Sequence, residues 1–151
     1  MDLAPNSAPI FSGEFRHALD PKNRVTVPAR WRKTDSDEFH LMADRSGSFL
    51  RAMPPEQFRA VGDKLAAMPD ISAQKKQDFL QLFYSQALLV VVDKQGRLLV
   101  PESLGKVVGL SGEVMLAGVR DTFQIWSPEA WAATKQTKAD NFHEVSDVLG
   151  L

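Results

Sequence analysis

The stretch ALDPKNRVTVPARWR, residues 18–32, is echoed by VVDKQGRLLVPESLG, residues 91–105. Asp20, Arg24 and Pro28 return as Asp93, Arg97 and Pro101, at an offset of 73. One Asp-x-x-x-Arg motif is weak evidence, but the same motif repeated in register points to a duplicated structural unit. The offset carries on without a gap. Val27 falls on Val100, Lys33 on Lys106, Met42 on Met115, Pro55 on Pro128 and Glu56 on Glu129. FHLMA at 39–43 lies over GEVML at 112–116, and in FLRAM, 49–53, the last four residues lie over FQIW at 123–126. Residues 11–69 and 84–138 therefore read as two copies of one unit. Around them, 1–10 reads as a flexible N-terminal tail, 70–83 as a linking helix, and 139–151 as a C-terminal tail or short helix.

Each copy has the same order of elements. A strand comes first, GEFRHAL or QALLVVV. Phe15, His17 and Leu19 share one face, which predicts a half-covered strand, whereas the continuous run ALLVVV predicts a more deeply buried one. A turn and a short strand follow, RVTV or RLLV, ended by Pro28 or Pro101, since proline cannot donate to a sheet ladder. A helical turn comes next, then two strands around Leu41 and Leu50, or around Met115 and Phe123. A helix closes each copy. Ser127-Pro128-Glu129 joins a capping hydroxyl, a proline for the first helical position and an acid for the first turn. Phe58, Val61, Leu65 and Met68 repeat at helical spacing until Pro69, and a second helix over 71–86 links the copies.

The turns DPKN and DKQG carry type I turn chemistry: Asp first, proline favoured second, then a residue that accepts positive φ. Gly96 supplies that conformation freely and Asn23 at modest cost. Asp20, Asn23, Asp93 and Gly96 are thus the turn-organising residues. Asp20 and Asp93 can accept backbone N–H groups and can also pair with Arg24 and Arg97, fixing how the guanidiniums point. A stapled turn with no other role is one reading of these pairs. Against it, the first turn carries Lys22 at its tip, which is poor material for a core. It is good material for phosphate or base-edge contacts, where arginine supplies a planar fork.

The net charge is only −1, with 25% charged residues, which taken alone argues mildly against nucleic acid. The distribution reverses the argument. Between Arg16 and Lys33 six basic side chains, Arg16, Lys22, Arg24, Arg30, Arg32 and Lys33, face one acid, Asp20. Screening limits each charge to about 8 Å at physiological salt, so a local basic segment still attracts an anion. There are no cysteines, which excludes disulfides and thiolate chemistry and fits a reducing cytoplasm. No apolar run reaches the length of a membrane span, and the start lacks the pattern of a signal peptide.

At these residues the chain resembles the MraZ family, regulators at the head of the bacterial division and cell-wall gene cluster. FSGEFRHALDPKNRVTVPARWR is similar to the family's opening and DKQGRLLVPESLGKVVGLSGEVMLAGVRDTFQIW to its second half. The resemblance implies an α+β, β-rich fold: two AbrB-like swapped-hairpin units forming a double-split pseudobarrel capped by helices. It implies a ring-like homo-oligomer that binds direct repeats in promoter DNA; a cytoplasmic, nucleoid-associated protein with no cofactor is the accompanying expectation. Lys22 and Arg24 match its DNA-contacting positions, and Arg97 is the second-copy counterpart. Lys94, Arg16 and Arg30 complete the expected DNA-binding set. Gln95 stands in the second turn where Lys22 stands in the first.

Two other classes of function find less support in the sequence. For an enzyme, His17, His40 and His143 fit no metal-ligand spacing, no glycine-rich phosphate loop is present and no serine sits in a nucleophile elbow, so neither catalytic nor metal-binding residues are expected. For a protein-interaction module, antitoxin-like or scaffold, the helices at 56–86 carry Lys64, Lys75 and Lys76 beside apolar faces. Trp31, Trp126 and Trp131 read as core or subunit interface.

Overall fold

The structure is a computed structural model that describes residues 9–151; most of the tail expected at 1–10 lies outside it. It is α+β. The strands are β1 (Glu14–Ala18), β2 (Arg24–Thr26), β3 (Glu38–Ala43), β4 (Leu50–Met53), β5 (Leu88–Val91), β6 (Arg97–Leu99), β7 (Glu113–Gly118) and β8 (Phe123–Trp126). The helices are α1 (Pro55–Ala66), α2 (Ala73–Gln86), α3 (Glu102–Val107) and α4 (Pro128–Leu149), with a single 3-10 turn at Ala29–Trp31.

The two halves pair by exchange. Six strands form one sheet in the order β1-β7-β8-β4-β3-β5, and β2 and β6 form a separate two-stranded ribbon. Every pairing is antiparallel. The opening strand of each half lies on the third strand of the other: Phe15 sits opposite Leu116, and Val90 opposite Phe39. The second strands pair with each other, and β4 meets β8 at the centre of the sheet. The ribbon closes over the sheet. Val25, Val27, Leu98 and Val100 from the ribbon and its ends join Leu41, Leu50, Val114, Leu116 and Ile125 in one buried core. Trp31 and Phe123 fill its aromatic centre, with ring centroids 5.1 Å apart. Phe49, Met115, Ala117 and Trp126 point to the opposite face, where α4 covers them with Trp131. Trp31 and Trp126 are thus buried residues.

Three expectations change. First, the 73-residue offset does not hold through the third strand. Glu113 pairs with Ala18, and Glu38 pairs with Val91, the counterpart of Ala18. Glu38 therefore corresponds to Glu113, an offset of 75, and His40 rather than Met42 corresponds to Met115. The offset returns to 73 at the next strand, where Leu50 pairs with Ile125 and Ala52 with Phe123. A longer β3–β4 turn absorbs the two residues. Second, ALLVVV does not run buried on both sides. β5 is an edge strand, and Leu88, Leu89 and Val91 are exposed while Val90 and Val92 are covered. Third, the last 13 residues do not form a separate element. α4 runs unbroken to Leu149, because no glycine or proline interrupts it until Gly150 takes the left-handed cap at φ 75°.

The helix starts follow their sequence signals. Ser127 Oγ accepts the N–H of Ala130 and Ser72 Oγ that of Lys75, each at 3.2 Å. Pro55 and Pro128 occupy the first turns of α1 and α4.

Candidate nucleic-acid interface

The two Asp–Arg turns have the same geometry. In the first, Asn23 N–H donates to the Asp20 carbonyl at 2.9 Å and Asp20 N–H to the Arg24 carbonyl at 2.9 Å. Asn23 holds φ 62°. The second repeats this, with Gly96 donating to Asp93 and Asp93 to Arg97, both at 2.9 Å, and Gly96 at φ 82°. These are type I turns closed by a left-handed residue, the form the sequence chemistry predicts.

Each aspartate then uses both oxygens. Asp20 Oδ1 accepts the backbone N–H groups of Lys22 at 2.9 Å and Arg24 at 2.8 Å, while Oδ2 accepts Arg24 Nε–H at 2.7 Å. Asp93 Oδ1 accepts from the N–H groups of Gln95 at 3.0 Å and Arg97 at 2.9 Å, and Oδ2 from Arg97 Nε at 2.9 Å. Both carboxyls are held below the ordinary aspartate value of 3.8, chiefly by the backbone N–H of Arg24 or Arg97 against an opposing desolvation cost, with the arginine side chain adding to the effect. The guanidiniums are not sealed away. The Arg24 side chain keeps 28% of its surface exposed and that of Arg97 31%.

The ribbon register sets where they face. Arg24 lies opposite Leu99, Val25 opposite Leu98, and Thr26 opposite Arg97. Successive strand residues alternate faces. Val25 and Leu98 turn inward and are buried, so Arg24, Thr26, Arg97 and Leu99 share the outer face. Two residues of rise and one strand spacing separate the arginines, which sets their Cα atoms roughly 8 Å apart. Two Val27-type bonds lock the ribbon ends: Val27 N–H to the Gly96 carbonyl at 2.9 Å and Val100 N–H to the Asn23 carbonyl at 2.8 Å.

The other expected contacts divide. Lys22 and Lys94 are exposed on the turns, and neither is in an ion pair among the described residues. Arg16 sits apart on β1, its guanidinium held by Glu113 at 2.7 Å. Arg30 also sits apart, 4.9 Å above the Phe15 ring and donating to the Ser12 carbonyl at 3.4 Å. Arg32, outside the expected set, is carried by the 3-10 turn onto the second Asp–Arg turn. Its only sequence signal was membership of the basic segment.

Among the described residues no group of His, Asp or Glu is arranged to hold a metal ion, and no helix is long and apolar enough to cross a membrane.

A family model described as "MraZ protein, putative antitoxin-like" matches residues 83–149. The transcriptional regulator MraZ of Clostridium beijerinckii is 36% identical over 131 residues, covering 87% of this chain and 91% of that protein. Those of Leuconostoc mesenteroides and Heliobacterium modesticaldum are 34% and 35% identical over 140 residues, covering 93% of this chain and 96% of each relative. With the duplicated Asp–Arg turn and relatives matched along nearly the whole length, the chain belongs to the MraZ family.

Proposed function

We propose that the chain is a DNA-binding transcriptional regulator, in keeping with the name of its relatives and not that of an enzyme. In this reading the units 11–69 and 84–138 form the double-split, swapped-hairpin pseudobarrel of AbrB-like proteins. The β2–β6 ribbon is the DNA-reading element, since the major groove admits a two-stranded β-ribbon. The observation that carries the reading is the outward face of that ribbon. Arg24 and Arg97 stand on it together, each anchored through Nε by its own aspartate, so that neither needs a new counter-charge to be oriented. Pre-set guanidiniums lose little entropy when they take phosphates or base edges.

Affinity of one subunit would be low. Two phosphate contacts per subunit give a salt slope of only about −2. A ring-like homo-oligomer on promoter direct repeats raises the effective concentration to the order of millimolar without new contacts in any subunit. The target proposed is the promoter of its own division and cell-wall gene cluster, and the site of action the nucleoid of the cytoplasm. Footprinting of the region upstream of its own gene tests the proposal. Arg24→Ala should abolish the footprint while the melting temperature stays near that of the parent, and Arg97→Ala should have a smaller effect, because Gln95 Oε1 already accepts one of its N–H groups at 3.2 Å. A protected region unchanged by Arg24→Ala refutes it.

A second reading, a protein-interaction module with weak or no DNA binding, is favoured by exposed apolar side chains on α2, β5 and the distal part of α4: Leu82, Leu89, Phe142 and Val148. Co-purification of a protein partner, with no protected DNA, would select it.

A further inference from the structure

The two Asp–Arg turns differ in what lies over them. Gly96 is buried, and the group that covers it is the Arg32 guanidinium. A β-carbon at Gly96 would stand 2.7 Å from Arg32 Cζ, 2.9 Å from Nη1 and 3.0 Å from Nη2. The first turn has no counterpart. By the 73-residue offset Gly105 occupies the place of Arg32, and Asn23, with a side chain of its own, that of Gly96. The half-buried Arg32 makes no side-chain ion pair or hydrogen bond among the described residues, and its Nε is buried without a partner. An arginine left in that state is costly unless another group completes it.

We propose that Arg32 is a further DNA-contacting residue, lent by the first half of the chain to the second turn, where its Nη edge takes a backbone phosphate beside Arg97. The inference rests on the ribbon being the DNA-facing element. It accounts for an asymmetry. The second turn has Gln95 where the first has Lys22, and Gln95 also occupies Arg97 Nη2. Arg32 adds a second cation at that turn, beside Lys94, which stands one place before Gln95. Packing against a bare glycine backbone with Nε turned inward leaves the paired Nη groups as the outward donors, and that edge matches two phosphate oxygens at once.

The test uses the full chain, a labelled duplex from the region upstream of its own gene, and three variants measured beside Arg24→Ala for affinity across a salt series. Arg32→Gln removes the cation. Gly96→Asn leaves the left-handed turn intact, since Asn23 already adopts it at φ 62°, but its β-carbon takes the space of the guanidinium. That guanidinium ends a flexible side chain and can swing away, so the variant should melt close to the parent. Both variants should bind about tenfold more weakly. Both should lower the salt slope by about one for each subunit engaged. Arg32→Lys should keep the slope and recover part of the affinity. Parental affinity and slope in Arg32→Gln, with Arg24→Ala still abolishing binding, overturn the role of Arg32 alone. So does weaker binding at an unchanged slope, which would make Arg32 a packing group. If Arg24→Ala also binds like the parent, the DNA-facing ribbon falls, and the inference with it.

Discussion

Asp20 and Asp93 join two tasks in one side chain: Oδ1 closes the turn through backbone N–H groups and Oδ2 aims an arginine. The tasks can be separated. Asp20→Asn keeps an oxygen for the backbone but gives up the charge that holds Arg24 Nε, so it should weaken DNA binding more than it lowers the melting temperature. Asp20→Ala removes both and should lower the two together; equal melting temperatures for the two variants would refute this division. The pH sign follows from the depressed carboxyls. Their contribution is complete above the ordinary value of 3.8 and is lost only as pH falls below it, through the folded value. Turn order should therefore be flat across neutral pH. At this scale much was legible in advance. Asn23 and Gly96 stand at the position that needs positive φ, and only a few residue types fit there. Arg32 was not legible, because its value depends on lying over a glycine 64 positions away (Arg32 to Gly96).

Elements are joined by single polar residues whose loss can be measured. The Tyr84 hydroxyl, on α2, donates to the Phe58 carbonyl at 2.7 Å and accepts the Gly62 N–H at 2.9 Å. It thus bridges the carbonyl and N–H that a helical turn would pair directly. Tyr84→Phe should cost about 1 kcal/mol. Denaturant unfolding checks this; a loss beyond about 3 kcal/mol would mean that the aromatic packing had also failed. His40, on β3, stacks on Phe58 of α1 with centroids 4.0 Å apart. Burial holds its pKa below the ordinary 6.5, with Glu38 opposing. The contribution is therefore complete above that value. As pH falls, the unfolded chain takes up the proton first and stability declines. The melting temperature should drop as pH falls below 6.5 toward the lower folded value, and His40→Gln should flatten that part of the profile. An unchanged slope in the variant would assign the effect elsewhere. The missed exposure of β5 has a similar cause. A short apolar run reads alike on a central or an edge strand, and only its neighbours decide.

On the scale of the whole molecule, the duplicated motif made two like units legible, but the strand exchange between them was not in any local pattern. Register slips of two are invisible to face-counting, since a strand repeats every two residues, and this is why the offset of 75 in β3 and β7 passed for 73. The exchange leaves the sheet with two unlike edges. β1 carries outward Glu14 and Arg16, the latter paired with Glu113 across the strand. Charges of this kind keep an edge from adding further strands. β5 has no charged residue, and Leu89 and Val91 are 53% and 50% exposed. An apolar, unprotected edge on one side only suits a subunit contact better than a solvated surface. Leu89→Lys combined with Val91→Lys should leave the subunit fold intact, because both side chains already meet water. It should reduce the proposed ring-like assembly to smaller species by sedimentation, and DNA affinity should fall far more than any single-subunit contact explains, since each arginine pair would then bind without its tethered neighbours. An assembly of unchanged size in that variant would remove β5 from the contact. A dissociated variant that kept the parental footprint would refute the view that assembly supplies the affinity.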